Sequence, residues 1–298
     1  MRILVVVVTY NGRQWIDRCL SSISDSSMNV DTYVIDNCST DDTCEYVSRN
    51  YKQVHIVQSD VNLGFARANN MGMRYALDNG YDYVFLLNQD AWVEKDTFEK
   101  LLKTFDDNEN VGIASPVHLN GSHTTLDFGF ASCMQRDFVM DLYGRNLKLY
   151  YSVPFINAAA WMLPRKTLET VGGFDTLLFS HYEEDANYCQ RVNYHGLVVM
   201  VNAECHVCHD REQRDYSTYE GRTLWKEKNK YSFTKVDWGN INKPIDIRSK
   251  KKKNCIRLMF YVLLLKRTKA ESVREENKLL TQISKSRDIN KQVGSSWL

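Results

Sequence analysis

The chain has 298 residues, four prolines, 12% aromatic residues and a formal net charge of +1 at pH 7. That length buries a substantial core, and that composition is of a folded chain rather than a disordered one. Near-neutral charge excludes a nucleic-acid binder that works through bulk charge, so no nucleic-acid partner is expected.

The N-terminal run Met1-Arg2-Ile3-Leu4-Val5-Val6-Val7-Val8 is too short for a secretory signal and has no small-residue cleavage site, so it reads as a buried strand. No stretch reaches the roughly 18–20 apolar residues of a spanning helix. Eight scattered cysteines without an export signal fit a reducing compartment, and the expected location is the cytoplasm.

Residues 3–8 predict a strand, followed by a helix with Trp15, Ile16, Cys19, Leu20 and Ile23 at helical spacing. Residues 32–35 predict a second strand, and the Ser39-Thr40-Asp41-Asp42 cluster caps a helix through about Tyr51. A strand over 54–57, a helix over 65–77 stopped by Asp78-Asn79-Gly80, a strand over 84–87 and a helix over 97–105 follow. Strands alternating with helices imply right-handed βαβ units and a parallel sheet. After Val111 the pattern changes. Residues 112–117, 124–130 and 137–142 read as short strands of a mixed sheet that receives a second substrate. Helices are expected from Pro164 to the Gly172-Gly173 stop and from about Glu184 to Tyr194. The alternating stretch 197–208 reads as a strand, although Cys205-His206-Val207-Cys208-His209 matches a c-type haem pattern. Haem attachment of that kind requires export, and zinc would want a second Cys/His pair nearby.

Four polar clusters fall where the strands of such a sheet end. Thr9-Tyr10-Asn11 follows the first strand. Asp36-Asn37 follows the second, where a carboxylate can accept a uracil or thymine imide N–H or a ribose hydroxyl. The segment from Asn62 to Asn70 opens a helix, with Gly64 permitting a tight turn and Arg67 available to a phosphate. Asn88-Gln89-Asp90 ends the apolar run that starts at Tyr83. Open α/β sheets bind ligands at these strand ends, and a carboxylate there can hold Mg²⁺ or Mn²⁺ against a phosphate-bearing leaving group. Singly, each cluster reads equally well as loop polarity or a helix cap.

Together these segments resemble the inverting glycosyltransferase family 2, nucleotide-sugar enzymes of the GT-A fold, and its bacterial rhamnosyltransferase-like and polysaccharide-biosynthesis members. The likeness lies in Val7-Val8-Thr9-Tyr10-Asn11, the run Val34 to Asp41, Asn62-Leu63-Gly64-Phe65-Ala66 with Asn69-Asn70, and Leu86-Leu87-Asn88-Gln89-Asp90. It continues through Val171-Gly172-Gly173-Phe174-Asp175 and Glu184-Asp185 with Cys189-Gln190-Arg191. The resemblance implies a Rossmann-like, mostly parallel sheet flanked by helices, a smaller mixed acceptor-side sheet and a C-terminal helical tail. Residues 1–110 would be the nucleotide-binding half, 111–240 the acceptor-binding half and 241–298 a basic extension.

The resemblance also implies roles. Asp36 would bind the base, and Thr9, Tyr10, Asn11, Asn37, Asn62, Gly64, Arg67, Asn69, Asn88 and Gln89 would surround a UDP- or dTDP-sugar. Asp90 would be the remaining carboxylate of the metal-binding "DXD" motif, with Mg²⁺ or Mn²⁺ as cofactor. Asn88 stands where many members carry Asp, which removes one charge from the ligand set. His209, with His206 as the alternative, would lie near the metal or diphosphate, and Arg211 and Arg214 could contact the diphosphate.

An inverting transfer needs a carboxylate that takes the acceptor hydroxyl's proton as its oxygen attacks C1 opposite the leaving group. The run Phe179 to Asp185 offers one at a helix N-terminus, where the dipole keeps it ionised. The family's acidic pair maps onto Glu184 and Asp185, with Asp185 as base and Glu184 as alternative or as acceptor-orienting group. Ala186-Asn187-Tyr188 depart from the usual sequence there. The acceptor would be a saccharide or lipid-linked saccharide of surface polysaccharide biosynthesis. A sugar nucleotidyltransferase or a non-catalytic, membrane-associated relative are the competing classes. The first wants a Gly-rich, Arg- and Lys-bearing loop after strand one; the second predicts loss of Asp90 and Asp185.

The tail runs Arg248-Ser249-Lys250-Lys251-Lys252-Lys253 into a short apolar stretch ending at Lys266-Arg267. Two readings stand: residues 248–267 meet an anionic membrane surface at the inner face of the cell membrane, or the helix packs on the core with solvated lysines.

Overall fold

The computed structural model describes residues 1–179, 182–212 and 231–297. The first part alternates β1 (Ile3–Thr9), α1 (Arg13–Ser24), β2 (Asp31–Asp36), α2 (Thr43–Asn50), β3 (His55–Gln58), α3 (Gly64–Asp78) and β4 (Tyr83–Asn88). β1 lies between β2 and β4, parallel to both, with Thr9 beside Asp36 and Val8 beside Asn88. Three polar strand ends are thereby brought to one edge.

The uninterrupted valine run of β1 follows from burial on both sides. Ile3, Val5 and Val7 enter one core cluster with Ile16, Leu20 and Phe98, while Leu4 and Val6 enter another with Met73, Trp161 and Phe174. A strand covered on both faces has no polar face to alternate with. α3 lies so close to β1 that a Cβ on Gly72 would sit 2.4 Å from the Val6 side chain.

The second part continues with β5 (Ala91–Val93), α4 (Thr97–Asp107), β6 (Val111–Asn120), α5 (Phe128–Cys133), α6 (Arg136–Tyr143), β7 (Tyr150–Val153), β8 (Ala160–Pro164), α7 (Arg165–Val171), α8 (Glu184–Tyr194) and β9 (Val198–His209). The nine strands of the described residues form one sheet in the order β3-β2-β1-β4-β8-β6-β9-β5, with β7 also on β9. β8 runs antiparallel to β4, and β9 runs parallel to β6 and antiparallel to β5 and β7. The mixed portion expected of the second half is an extension of the parallel portion.

Two expected strands, 124–130 and 137–142, are partly or wholly helical. α6 occupies all of 137–142, and α5 takes 128–130 of the first segment, where only Leu126 makes an isolated bridge, to Leu119. The Asp127 carboxylate accepts the Phe130 N–H at 2.8 Å and so caps α5, satisfying a donor that a helix start leaves open. Only Phe130 of α5 and Phe138 of α6 are buried, so neither segment has the buried stripe that reveals a helix by periodicity. Residues 205–209, the haem-like pattern, lie on β9, with Cys205 and Cys208 buried as thiols.

The tail is helical: α9 (Ser232–Gly239), α10 (Ile247–Leu263) and α11 (Arg267–Asn290). α11 is pinned to the sheet domain by the buried Asp175 carboxylate, which accepts hydrogen bonds from Ser286 at 2.5 Å and Asn290 at 2.8 Å. Arg287 donates to the carbonyls of Trp238 at 3.0 Å and Lys243 at 2.7 Å. Ile247, Leu279, Leu280 and Ile283 close a third cluster on Leu178 and Phe179. The packed reading of the tail therefore holds for α11 and the root of α10. No described helix is long and apolar enough to cross a membrane.

Candidate active site

The ends of β1, β2 and β4 and the start of α3 border a cleft of about 990 Å³. Of the residues expected there, Tyr10, Asn37, Asn62, Gly64, Arg67, Asn88, Gln89 and Asp90 line it. Trp15, Thr176, Phe179 and Tyr182 complete the wall. Its size and its mixture of aromatic and convergent polar groups suit a nucleotide-sized ligand.

The remaining expected residues lie behind this lining and hold it in shape. Thr9 is buried and donates to the Gln89 amide oxygen at 2.6 Å, which also accepts the Tyr10 N–H at 2.8 Å. Asn11, with a left-handed backbone (φ 47°), accepts the Thr40 N–H at 2.8 Å and so ties the loops after β1 and β2 together. Asn37 and Asn62 interlock: Asn37 donates to Asn62 at 3.0 Å and accepts the Leu63 N–H at 2.6 Å. Gly64 takes φ 77° at the head of α3, a value open to glycine at little cost. Asn69 turns back on its own helix and donates to the Phe65 carbonyl at 3.0 Å. Asp36 is fully buried; one oxygen accepts from Ser39 at 3.0 Å and Gln58 at 3.2 Å, while the other has no partner. A buried carboxylate oxygen without a donor is costly, and a ligand N–H or hydroxyl would satisfy it.

Asp90 and His209 meet at the cleft floor because β5 pairs with the end of β9, Ala91 opposite His209. Both side chains are buried, and His209 Nε2 lies 3.4 Å from Asp90 Oδ1 and 3.4 Å from the Asn88 amide nitrogen. The other ring nitrogen, Nδ1, faces Asp127 at 3.9 Å, and Arg211 joins the same group with its Nε 3.1 Å from Asp127. His118, Asp127 and His209 place ligand-capable atoms within 4.8 Å of one another, a group able to hold a metal ion. Burial and the neighbouring His209 and Arg211 keep the His118 imidazole well below its usual pKa, hence neutral. His206, the alternative to His209, points away and pairs with Glu94 at 3.6 Å. Sequence reasoning passed over His118 and Asp127. The capping pattern of Asp127 before an apolar turn was the available signal.

The donor set fits a divalent cation. Asp90 and His209, 3.4 Å apart and both buried, would hold such an ion, which would supply positive charge to a phosphate-bearing ligand.

The other carboxylates stand at the head of α8. Tyr182 and Glu183 both adopt left-handed backbone, φ 67° and 71°, a conformation that costs roughly 1–3 kcal/mol at non-glycine residues and clusters at functional sites. Asp185 accepts the Ala186 N–H at 2.8 Å and the Ala158 N–H at 3.4 Å. Burial pushes its carboxyl above the ordinary value, opposed by those N–H groups and by the nearby Arg211 charge. Arg211 thus contacts Asp127 directly and acts on Asp185 only through its charge. Glu184 is buried with one oxygen unpartnered, and burial together with the Asp185 charge pushes it up to about 8. Ser180, His181 and Arg214 lie outside the described residues.

Glu184 gives a stability prediction. Its folded value lies above the ordinary 4.5, so the fold favours the protonated form. That stabilisation is fully present below about pH 4.5 and is lost as pH rises through about 8. Glu184→Gln should match wild type near pH 4.5 and exceed it increasingly towards pH 8.5, by on the order of a few kcal/mol. Urea denaturation across that range checks it; parallel curves would show that Glu184 is not held protonated.

The single twisted sheet, its flanking helices and the strand-end cleft define a GT-A-type protein, and solved structures share the architecture. Residues 1–349 of Staphylococcus aureus TarS in complex with UDP-GlcNAc superpose with a TM-score of 0.55 at 16% identity, over 84% of this chain and 70% of that one. GalNAc-T7 with UDP, GalNAc and Mn²⁺ gives 0.57 at 13% identity, over 80% and 50%. The chain belongs to glycosyl transferase family 2, whose family model matches residues 4–172. It is therefore a glycosyltransferase. Among curated relatives, the dTDP-rhamnosyl transferase RfbF of Shigella flexneri is 24% identical over 208 residues, 70% of this chain and 68% of its own length. The low-salt glycan biosynthesis hexosyltransferase Agl10 of Haloferax volcanii is 28% identical over 197 residues, 63% of this chain and 60% of its own.

Proposed function

We propose that the protein moves a hexosyl or deoxyhexosyl group, with inversion, from a UDP- or dTDP-sugar to a saccharide or lipid-linked saccharide acceptor. The setting is surface polysaccharide biosynthesis in the cytoplasm, at the inner face of the cell membrane. One observation carries this reading: Asp90, beside the buried His209, lines a strand-end cleft of about 990 Å³ together with Asn37, Asn62, Arg67 and Gln89, so a cation site and a phosphate-binding group share one cleft.

In this reading residues 1–110 hold the nucleotide, with Asp36 receiving a base N–H or ribose hydroxyl and the Asn37–Asn62 clamp fixing the α3 entrance. Arg67 and Arg211 offer guanidinium groups to the diphosphate. Asp90 and His209 would hold the Mg²⁺ or Mn²⁺, which supplies positive charge to the departing diphosphate. Arg211, held by Asp127, donates to His209 Nδ1 at 3.3 Å and orients the ring. Residues 111–240 receive the acceptor, whose hydroxyl proton passes to Asp185 as the oxygen attacks C1. Glu184, protonated at neutral pH, orients the acceptor by donating a hydrogen bond. Asp90 and Asp185 are both in place, against the non-catalytic alternative.

Thermal melting with UDP-, dTDP- and GDP-sugars, with and without Mg²⁺ or Mn²⁺, tests this reading. A matched donor at a hundredfold excess over its Kd should stabilise the fold by about 2.7 kcal/mol. Asp36→Ala should weaken donor binding roughly 10–100-fold, the worth of a charged hydrogen bond. The reading fails if none of these donors shifts the wild-type transition.

A further inference from the structure

The C-terminal hairpin carries an apolar ridge that nothing in the described chain covers. α10 buries only Ile247 and Asn254. Ile256, Met259, Phe260 and Leu263 follow at helical spacing and are 69%, 67%, 56% and 80% exposed, and Leu265 at the turn is 85% exposed. Scattered exposed leucines are ordinary on soluble proteins, but a contiguous ridge marks an interaction surface.

The charges around it narrow the occupant. Lys252 and Lys253 lie one turn before Ile256, and Lys266 and Arg267 follow the ridge at the hairpin tip. Among the described residues these four make no ion pair, whereas Lys250 and Arg257 are each committed to Glu276 at 3.2 Å. An apolar helix face rimmed by uncommitted cations matches an anionic bilayer, with side chains at the acyl boundary and ammonium groups among the headgroups. A second copy of the chain would bring like charges together. The hairpin root is packed on the core and shares Phe179 with the cleft wall.

We propose that α10 and the α10–α11 turn dock the enzyme on an anionic membrane leaflet, α10 lying in its plane. The inference deepens the transferase reading by naming the surface that presents the acceptor, but its test needs no donor.

The experiment is co-sedimentation of the full chain with phosphatidylcholine vesicles, with or without about one-third phosphatidylglycerol, at low and high salt. Binding should favour the phosphatidylglycerol vesicles at least about tenfold and weaken in high salt. Phe260→Asp with Leu263→Asp should lose binding at least about tenfold while the melting transition stays in place. Lys252→Glu, Lys253→Glu, Lys266→Glu and Arg267→Glu together should remove the lipid preference. The proposal is overturned if binding ignores lipid charge, if the variants bind like wild type, or if the aspartate pair instead converts a dimer to a monomer. Loss of the donor-induced melting shift with vesicle binding retained would count against the transferase reading alone.

Discussion

Asp185→Asn is expected to cut sugar transfer by about 10²–10⁴-fold, the usual worth of a positioned general base, while donor binding stays unchanged. Asn keeps the shape and can still accept the Ala186 N–H that Asp185 Oδ1 holds at 2.8 Å, giving up only the longer 3.4 Å contact of Oδ2 with the Ala158 N–H. It cannot take up a proton. Glu184 cannot substitute at neutral pH, because at about 8 its carboxyl is already protonated. In wild type the acid limb of kcat/KM should lie above the ordinary aspartate range, because burial raises Asp185, and activity falls as pH drops through that value. A rate assay with the matched donor, paired with a donor-binding isotherm, separates the two effects. Wild-type transfer by Asp185→Asn would sink the assignment; the same large loss in Glu184→Gln instead would move it one residue back.

The second large effect belongs to Asp90 and His209. Asp90→Ala or His209→Ala should lower transfer about 10³-fold, since charge neutralisation at a phosphate leaving group is worth several kcal/mol. A chelator should reproduce this in wild type, and added Mn²⁺ should rescue wild type but neither variant. The structure also sets how the cation binds. Asn88 contributes a neutral amide 3.4 Å from His209 where a second carboxylate would stand in the strict motif. With fewer charges in the shell, cation affinity should depend on the donor diphosphate. Titrating Mn²⁺ into protein alone should then show weak binding that tightens when UDP or dTDP is present. Transfer that persists undiminished in chelator would rule this out.

The parallel half was legible because its strands are buried on both faces and end abruptly in polar residues, as Val8-Thr9 and Leu87-Asn88 do. Those ends also revealed the cleft, since parallel strands deliver their carboxyl ends to one edge. In the second half β6, α7, α8 and β9 lie where they were expected, but β8, α5 and α6 were not legible, for the opposite reason. β8 is a five-residue run buried almost throughout, and a short apolar run has no period to read. α5 and α6 bury one side chain each, so no stripe reveals them, and of the two only α5 has a side-chain cap, Asp127. Site membership divided in the same way. Type and position showed that Asp36 and Asn11 were polar and near strand ends, but not that Asn11 ties two loops together or that Asp36 keeps one oxygen open. Asp127 and His118 reach His209 only through tertiary pairing, which no local pattern encodes.

β9 has a further consequence. It is held by β6 along most of its length, by β7 at its start and by β5 at its end. A strand gripped by three neighbours cannot slide, and a one-residue slip would replace His209 by Cys208 opposite Ala91. The cleft floor is thus a fixed datum, while Thr176, Phe179 and Tyr182 sit on the segment that joins α7 to α8, outside the sheet. Redesign for a different sugar therefore has its room on that wall. Insertions or deletions within 198–209 should abolish donor binding outright instead of retuning it.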